Sequence, residues 1–224
     1  MAISFVNVAE GYAGSSALVL TPATSHTAGN SIVVLVGGIN ASVTGITDVA
    51  GNTYTSRGTS TQSGAFFLSS WTATGILGSA VNVLSVAFDA TGIALCVFAQ
   101  QLSASLGTLS FYDFRSGGAT SGTSLSTANS PATTQANAVI SAFGISAATG
   151  QTYTAGTSFT LRGSGLESGD VRAQSETRIV SATGTYNASM SNTIDDDWAM
   201  NHVILQETIP SGAGGVLALL GVGS

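Results

Sequence analysis

Apolar residues recur along this chain with a period of two rather than 3.6. In "VNVLSVAF", Val81, Val83, Ser85 and Ala87 fall on one side, and Asn82, Leu84, Val86 and Phe88 on the other. Successive side chains of a strand point to opposite faces, so this alternation predicts a half-buried strand. The Ala, Leu, Glu, Lys and Arg that sustain long helices give way to Thr, Ser, Val and Gly. The pattern predicts strands near 2–8, 16–21, 31–37, 43–48, 53–57, 65–73, 81–88, 93–101, 108–113, 121–127, 137–145, 158–162, 174–181, 184–190 and 197–207, and no long helix.

Four runs break the alternation. "SIVVLVGG", "AFFLSSW", "IALCVFA" and "AVISAFGI" are apolar on both faces or nearly so. Such strands are central and covered on both sides, here by loops folded back over them or by a neighbouring subunit. "ITDVAGNTYTSRG" and "SATGTYNASM" read as hairpins. Gly51 and Asn52 would supply the positive φ angles of the first, and Gly184 would centre the second. No long linker or charge break divides the chain, and no internal repeat stands out. The reading is one antiparallel β-sandwich domain over 1–208, followed by an apolar, Gly-rich arm over 209–224.

Composition narrows the function classes. The 224 residues suffice for a core without staples. Only 7% are charged, against about 25% in an average domain. There is no lysine; the five cations are Arg57, Arg115, Arg162, Arg172 and Arg178, and the net charge is −6. So little positive charge releases few counterions from a phosphate backbone, which excludes nucleic acid as a partner, and it disfavours an anionic membrane surface as well. Cys96 is the single cysteine, so there is no intrachain disulfide, and its apolar run marks it as a buried small hydrophobe. "MAISFVNVAEGY" lacks a basic n-region and a long apolar h-region, so it does not read as a secretory signal. A protein made in the cytoplasm, with the Ser/Thr/Gly-rich surface of rigid extracellular β proteins, points to a virion component.

The order "SIVVLVGGIN", "VTGITDVAGNTYTSRG", "FFLSSWTATGI", "VNVLSVAF", "ALCVFAQQLSA", then "NAVISAFG", "SFTLRGSG" and a closing "W-x-x-x-x-V-I-L" strand resembles a β-sandwich module of phage structural proteins and bacterial surface proteins. The resemblance covers roughly 1–208. It implies a jelly-roll or concanavalin-like sandwich, and it transfers no catalytic residue.

Candidate chemistry is sparse. Asp195, Asp196 and Asp197 could in principle hold Ca²⁺, but consecutive carboxylates of an extended chain diverge and the D-x-D-x-D-G spacing is missing. They read as a solvated loop or a subunit contact, with no metal and no cofactor expected. His26 and His202 accompany no G-x-S-x-G elbow, and His202 falls among apolar positions of the last strand, so no catalytic residue is expected. Asp89, Asp113, Glu167, Asp170 and Glu176 supply carboxylates but no motif, and the protein reads as a non-enzyme. Trp71, Trp198, Tyr12, Tyr54, Tyr153 and Tyr186 could form a sugar-stacking platform, but their positions in strand patterns favour core packing.

The chain ends "IPSGAGGVLALLGVGS". Pro210 stops strand pairing, Gly212, Gly214 and Gly215 make an elbow, and "VLALL" is too short to span a membrane. Val216, Leu217, Leu219 and Leu220 therefore read as an assembly arm. The sequence points to a phage capsid decoration (cement) protein: a homo-oligomer, with a trimer one option, that staples a major capsid or other virion protein. The alternatives are a glycan-binding adhesin module of a tail fibre and a subunit of an extracellular filament.

Overall fold

The computed structural model describes residues 3–14, 16–21, 25–62, 66–89, 94–168 and 171–209. The proposed arm residues Val216, Leu217, Leu219 and Leu220 lie outside the described residues, as does Asp170. Among the described residues there is no helix. Sixteen strands build four antiparallel sheets.

The first eight strands are β1 (Ile3–Ala13), β2 (Ala17–Leu20), β3 (Ser31–Ile39), β4 (Val43–Asp48), β5 (Thr55–Gln62), β6 (Phe66–Thr74), β7 (Leu84–Phe88) and β8 (Ala94–Ala104). The remaining eight are β9 (Thr108–Ala119), β10 (Ser124–Ser126), β11 (Ala138–Ser146), β12 (Tyr153–Ala155), β13 (Thr160–Ser168), β14 (Val171–Val180), β15 (Ser189–Asn192) and β16 (Trp198–Thr208). In the first set a five-stranded sheet runs β1-β8-β3-β6-β5 and a three-stranded sheet runs β2-β7-β4. In the second set the orders are β9-β16-β11-β14-β13 and β10-β15-β12. Adding eight to each strand number converts one half into the other. Within each half, the first strand pairs the eighth, the second the seventh and the third the sixth, which is a jelly-roll winding.

The antiparallel all-β sandwich expected from the pattern is what the strands form, but this internal duplication overturns the reading of a chain without a repeat. Its trace in the sequence is faint but present. "ISFVN" at 3–7 returns as "LSFYD" at 109–113, and "GNTYTSRG" at 51–58 returns as "GTSFTLRG" at 156–163. Both first strands bulge at the same place. Val6 is the extra residue in β1, between Phe5 and Asn7, and Tyr112 holds that position in β9.

The two large sheets pack face to face, and the two small sheets cover their outer faces. The central layer holds Val33, Leu35, Leu68 and Phe98 from the first half, against Val139, Phe143, Val203 and Leu205 from the second. Phe98 meets Phe143 edge to face, with centroids 5.8 Å apart. One outer layer packs Ile32, Val34, Val36 and Val97 against Leu20, Ile46 and Val86. The other packs Ile140, Met200 and Ile204 against Leu125 and Met190. The strands that read as apolar on both faces, β3, β6, β8 and β11, are all inner strands of the two large sheets, as are β14 and β16. Each is covered from both sides within one chain, so they require no neighbouring subunit.

The halves are joined by a reciprocal clamp. Arg57 of β5 donates through Nε to Thr72 (2.6 Å) and lies 4.8 Å from the Phe111 ring centre in the other half. Its counterpart Arg162 of β13 donates to Thr177 (2.6 Å) and lies 3.8 Å from the Phe5 ring centre. A half-buried cation over an aromatic face contributes about 0.5–1 kcal/mol. Each half thus places an arginine on the other's first strand, as in an isologous dimer.

Two expected hairpins are corrected by the topology. β4 and β5 belong to different sheets, as do β14 and β15. "DVAGNTY" and "SATGTYNA" therefore carry the chain between layers instead of reversing it within one. Gly51 has φ 79°, whereas Asn52 and Gly184 keep ordinary negative φ. Fifteen strands were expected from the pattern; β12, three residues long, is the additional one.

Candidate functional site

The inter-layer turn after β4 is built around Asp48. Its carboxylate accepts from the Asn52 backbone N–H (2.9 Å), Asn52 Nδ2 (2.7 Å), Tyr54 O–H (2.8 Å) and Asn82 Nδ2 (2.9 Å). Burial alone would raise the Asp48 pKa, but these donors outweigh it and hold the carboxyl below its ordinary value. Asn82 Nδ2 also meets His26 Nδ1, and Asn52 Oδ1 accepts from the Leu77 N–H (2.7 Å). Burial lowers the His26 pKa, with Asp48 opposing. "D-x-x-x-N-x-Y" is thus the wiring of one turn to the 75–83 loop.

Beside this turn an open groove of about 290 Å³ lies between 51–53 and 73–77. A second groove of about 310 Å³ is lined by Ser158 and by residues 178–182 with Tyr186. Shifted by 105 residues, positions 53 and 73–77 of the first become 158 and 178–182 of the second, so the duplication has produced twin grooves. Their linings differ. Leu77 of the first lining is 59% exposed, and Val49 and Val81 on the loops beside it are 65% and 63% exposed. The loops bearing them are tied together by Val49 N–H donating to Val83 O (3.1 Å) and by the Leu77–Asn52 bond. The second groove has Arg178, whose guanidinium sits 5.9 Å from the Phe159 ring centre and 5.4 Å from that of Tyr186.

A second divergence between the halves is buried. On the outer face of the second large sheet, Glu176, Ala142, His202 and Arg115 form one cross-strand row. The matching row of the first half is Trp71, Val34, Ala99 and Ala9. Glu176 and His202 are fully buried. Glu176 accepts from the Gly156 N–H (3.0 Å), and burial pushes its pKa up to about 8. His202 Nδ1 meets Thr127 Oγ1 (2.7 Å), and burial, with Arg115 nearby, lowers its pKa to about 4. Neither group is reachable by a ligand.

The other candidates scatter. Asp195 accepts from the Gly122 N–H (2.6 Å), which ties its loop to the distant 119–123 turn, and Asp196 accepts from the neighbouring Asp197 N–H (2.7 Å). Among the described residues no three His, Cys, Asp or Glu side chains form a metal-binding group. Asp89 caps Ser42 N–H (2.7 Å), and Asp113 pairs with Arg115 (2.9 Å). His26 and His202 lie in different halves. Of the aromatics, Trp198, Tyr54 and Tyr153 are buried, Trp71 packs on the first outer layer, and Tyr12 is exposed. They form no common platform; Tyr186 alone borders a groove. Arg178 and the twin grooves escaped the sequence reading. The signal that could have revealed them was the shared G-x-[ST]-[YF]-T-x-R-G string.

Comparison of the chain with protein-family models, curated proteins and solved structures finds no match.

Proposed function

We propose that the protein is a non-enzymatic structural component of a virion, a decoration protein that docks on a major capsid or related shell protein. The observation that carries this reading is the apolar rim beside the first groove: Leu77, which lines it, and Val49 and Val81 on the same two bonded loops, all exposed. Exposed apolar side chains on hydrogen-bonded loops suit protein docking. The charge-poor composition and the resemblance to phage structural modules support the same reading. The apolar strands do not, because the duplicated fold covers them internally.

The test is co-sedimentation of the protein with shells assembled from the capsid protein of its own genome. Saturable binding that Leu77→Asp and Val81→Asp abolish, with melting unchanged, supports docking through the rim. Absence of binding, or binding indifferent to both substitutions, refutes it. Sedimentation velocity of the free protein checks whether the decorating unit is a trimer.

A further inference from the structure

We infer that the second groove is a binding site for a carboxylate-bearing sugar, with Arg178 as its anion anchor. This inference stands apart from the docking role of the first groove, since it rests on the other half's residues.

The twin comparison isolates what is special here. Where the second half has Arg178, the first has Ala73, which is buried. Phe159 replaces Tyr54, Ser158 replaces Thr53, Ser181 replaces Ile76 and Tyr186 replaces Val81. One backbone frame has therefore exchanged a buried alanine for a cation and Ile76 for a hydroxyl, with an aromatic ring added at 186, while Ile179 and Val180 stand where the first groove has Thr74 and Gly75. In a chain with five arginines and no lysine, this placement of a cation is specific.

Arg178 is held but not neutralised. Its guanidinium contacts the Phe159 and Tyr186 rings, and it makes no hydrogen bond or ion pair to any other described residue. The groove lining contains no carboxylate. The Tyr186 ring is itself fixed, because its hydroxyl donates to Ala182 O (2.6 Å) and its N–H donates to Ser130 Oγ (3.1 Å). Ser158 adopts φ 67°, a left-handed conformation that is costly for a residue with a side chain, in a turn closed by Phe159 N–H donating to Gly156 O (2.9 Å). The planar fork of an arginine matches a carboxylate in two parallel hydrogen bonds. The Ser158 and Ser181 hydroxyls border the same space and suit the hydroxyls of a sugar ring. The volume of about 310 Å³ falls at the small end of ligand sites, enough for one sugar with its acid group.

The experiment is a titration of ¹⁵N-labelled protein, followed by NMR, with N-acetylneuraminate, glucuronate, glucose and inorganic phosphate. The expected result is a saturable shift of resonances at 158, 178–182 and 186 with both acid sugars, weakened at least tenfold for glucose and in Arg178→Gln. Thermal melting of the variant is recorded first. If Arg178→Gln does not fold, Arg178→Lys replaces it, with a several-fold loss expected because the charge stays and the fork goes. No saturable shift, equal binding of glucose, or unchanged binding by the folded variant overturns the proposal. Phosphate binding as tight as the acid sugars also overturns it, reducing the site to a plain anion contact.

Discussion

Adding one methyl group at Gly37 tests the packing between the two halves. Gly37 lies on β3 in the first half, and a Cβ there would sit 2.3 Å from Cε1 and 2.7 Å from Cζ of Phe143 in the second. Phe143 is fully buried and held edge-on by Phe98, so it has no room to retreat. Two effects oppose each other in Gly37→Ala. Stiffening the unfolded chain contributes about 0.4–1 kcal/mol of stability, while overpacking a filled core costs about 1–3 kcal/mol. The steric term is the larger, so a net loss of roughly 1–2 kcal/mol follows. For a chain of this size that is a fall of about 2–8 °C in Tm. Phe143→Ala alone should cost about 3–5 kcal/mol through the cavity it leaves. In that background the added methyl enters empty space, so Gly37→Ala becomes neutral or stabilising. Urea unfolding of the four proteins, at constant m-value, gives the cycle. Additive effects, or a Gly37→Ala variant as stable as the parent, would refute the face-to-face packing of the large sheets.

Glu176→Gln is expected to stabilise the protein at pH 8 by a few kcal/mol, in urea melts compared with pH 4. Because burial pushes the native pKa up to about 8, the carboxyl's contribution is fullest below the unfolded value of about 4.5 and is lost as pH rises to 8; an unchanged pH profile in the variant counts against this. Asp48→Asn should cost roughly 2–4 kcal/mol at neutral pH, since four donors lose a charged acceptor. The native Asp48 pKa is lowered, so the penalty should shrink in acid as the parent's own carboxyl protonates below about 3.8. Cys96 is fully buried and its thiol is pushed up to about 12, so a thiol reagent should leave it unmodified until the protein unfolds; rapid labelling of native protein would contradict the core placement. Residues 1–104 expressed alone would expose Val33, Leu35, Leu68 and Phe98 and should self-associate, and a clean monomer in sedimentation equilibrium would count against a duplicated dimer interface.

The period-two pattern was enough to determine the all-β class and the existence of nearly every strand, because side-chain alternation is a local property of extended backbone. It also identified the strands that must be covered on both faces, since "SIVVLVGG" and "AVISAFGI" offer no polar side. What covers them was not legible. A strand's sequence records that a face is buried but not whether a loop, a neighbouring molecule or a second copy within the chain buries it. The hairpins failed for the same reason: "DVAGNTY" specifies a tight turn, while the sheet that receives the next strand depends on contacts such as those of β5 with β6, which the turn does not encode. The duplication left only short matching strings, because a β-sandwich keeps its fold while many residue pairs change, as Trp71 for Glu176 and Ala73 for Arg178 show. Arg178 looks like any surface cation in one dimension. Only the stacked halves, which superimpose one groove's positions on the other's, reveal that the place of a buried alanine has acquired a charge between two rings.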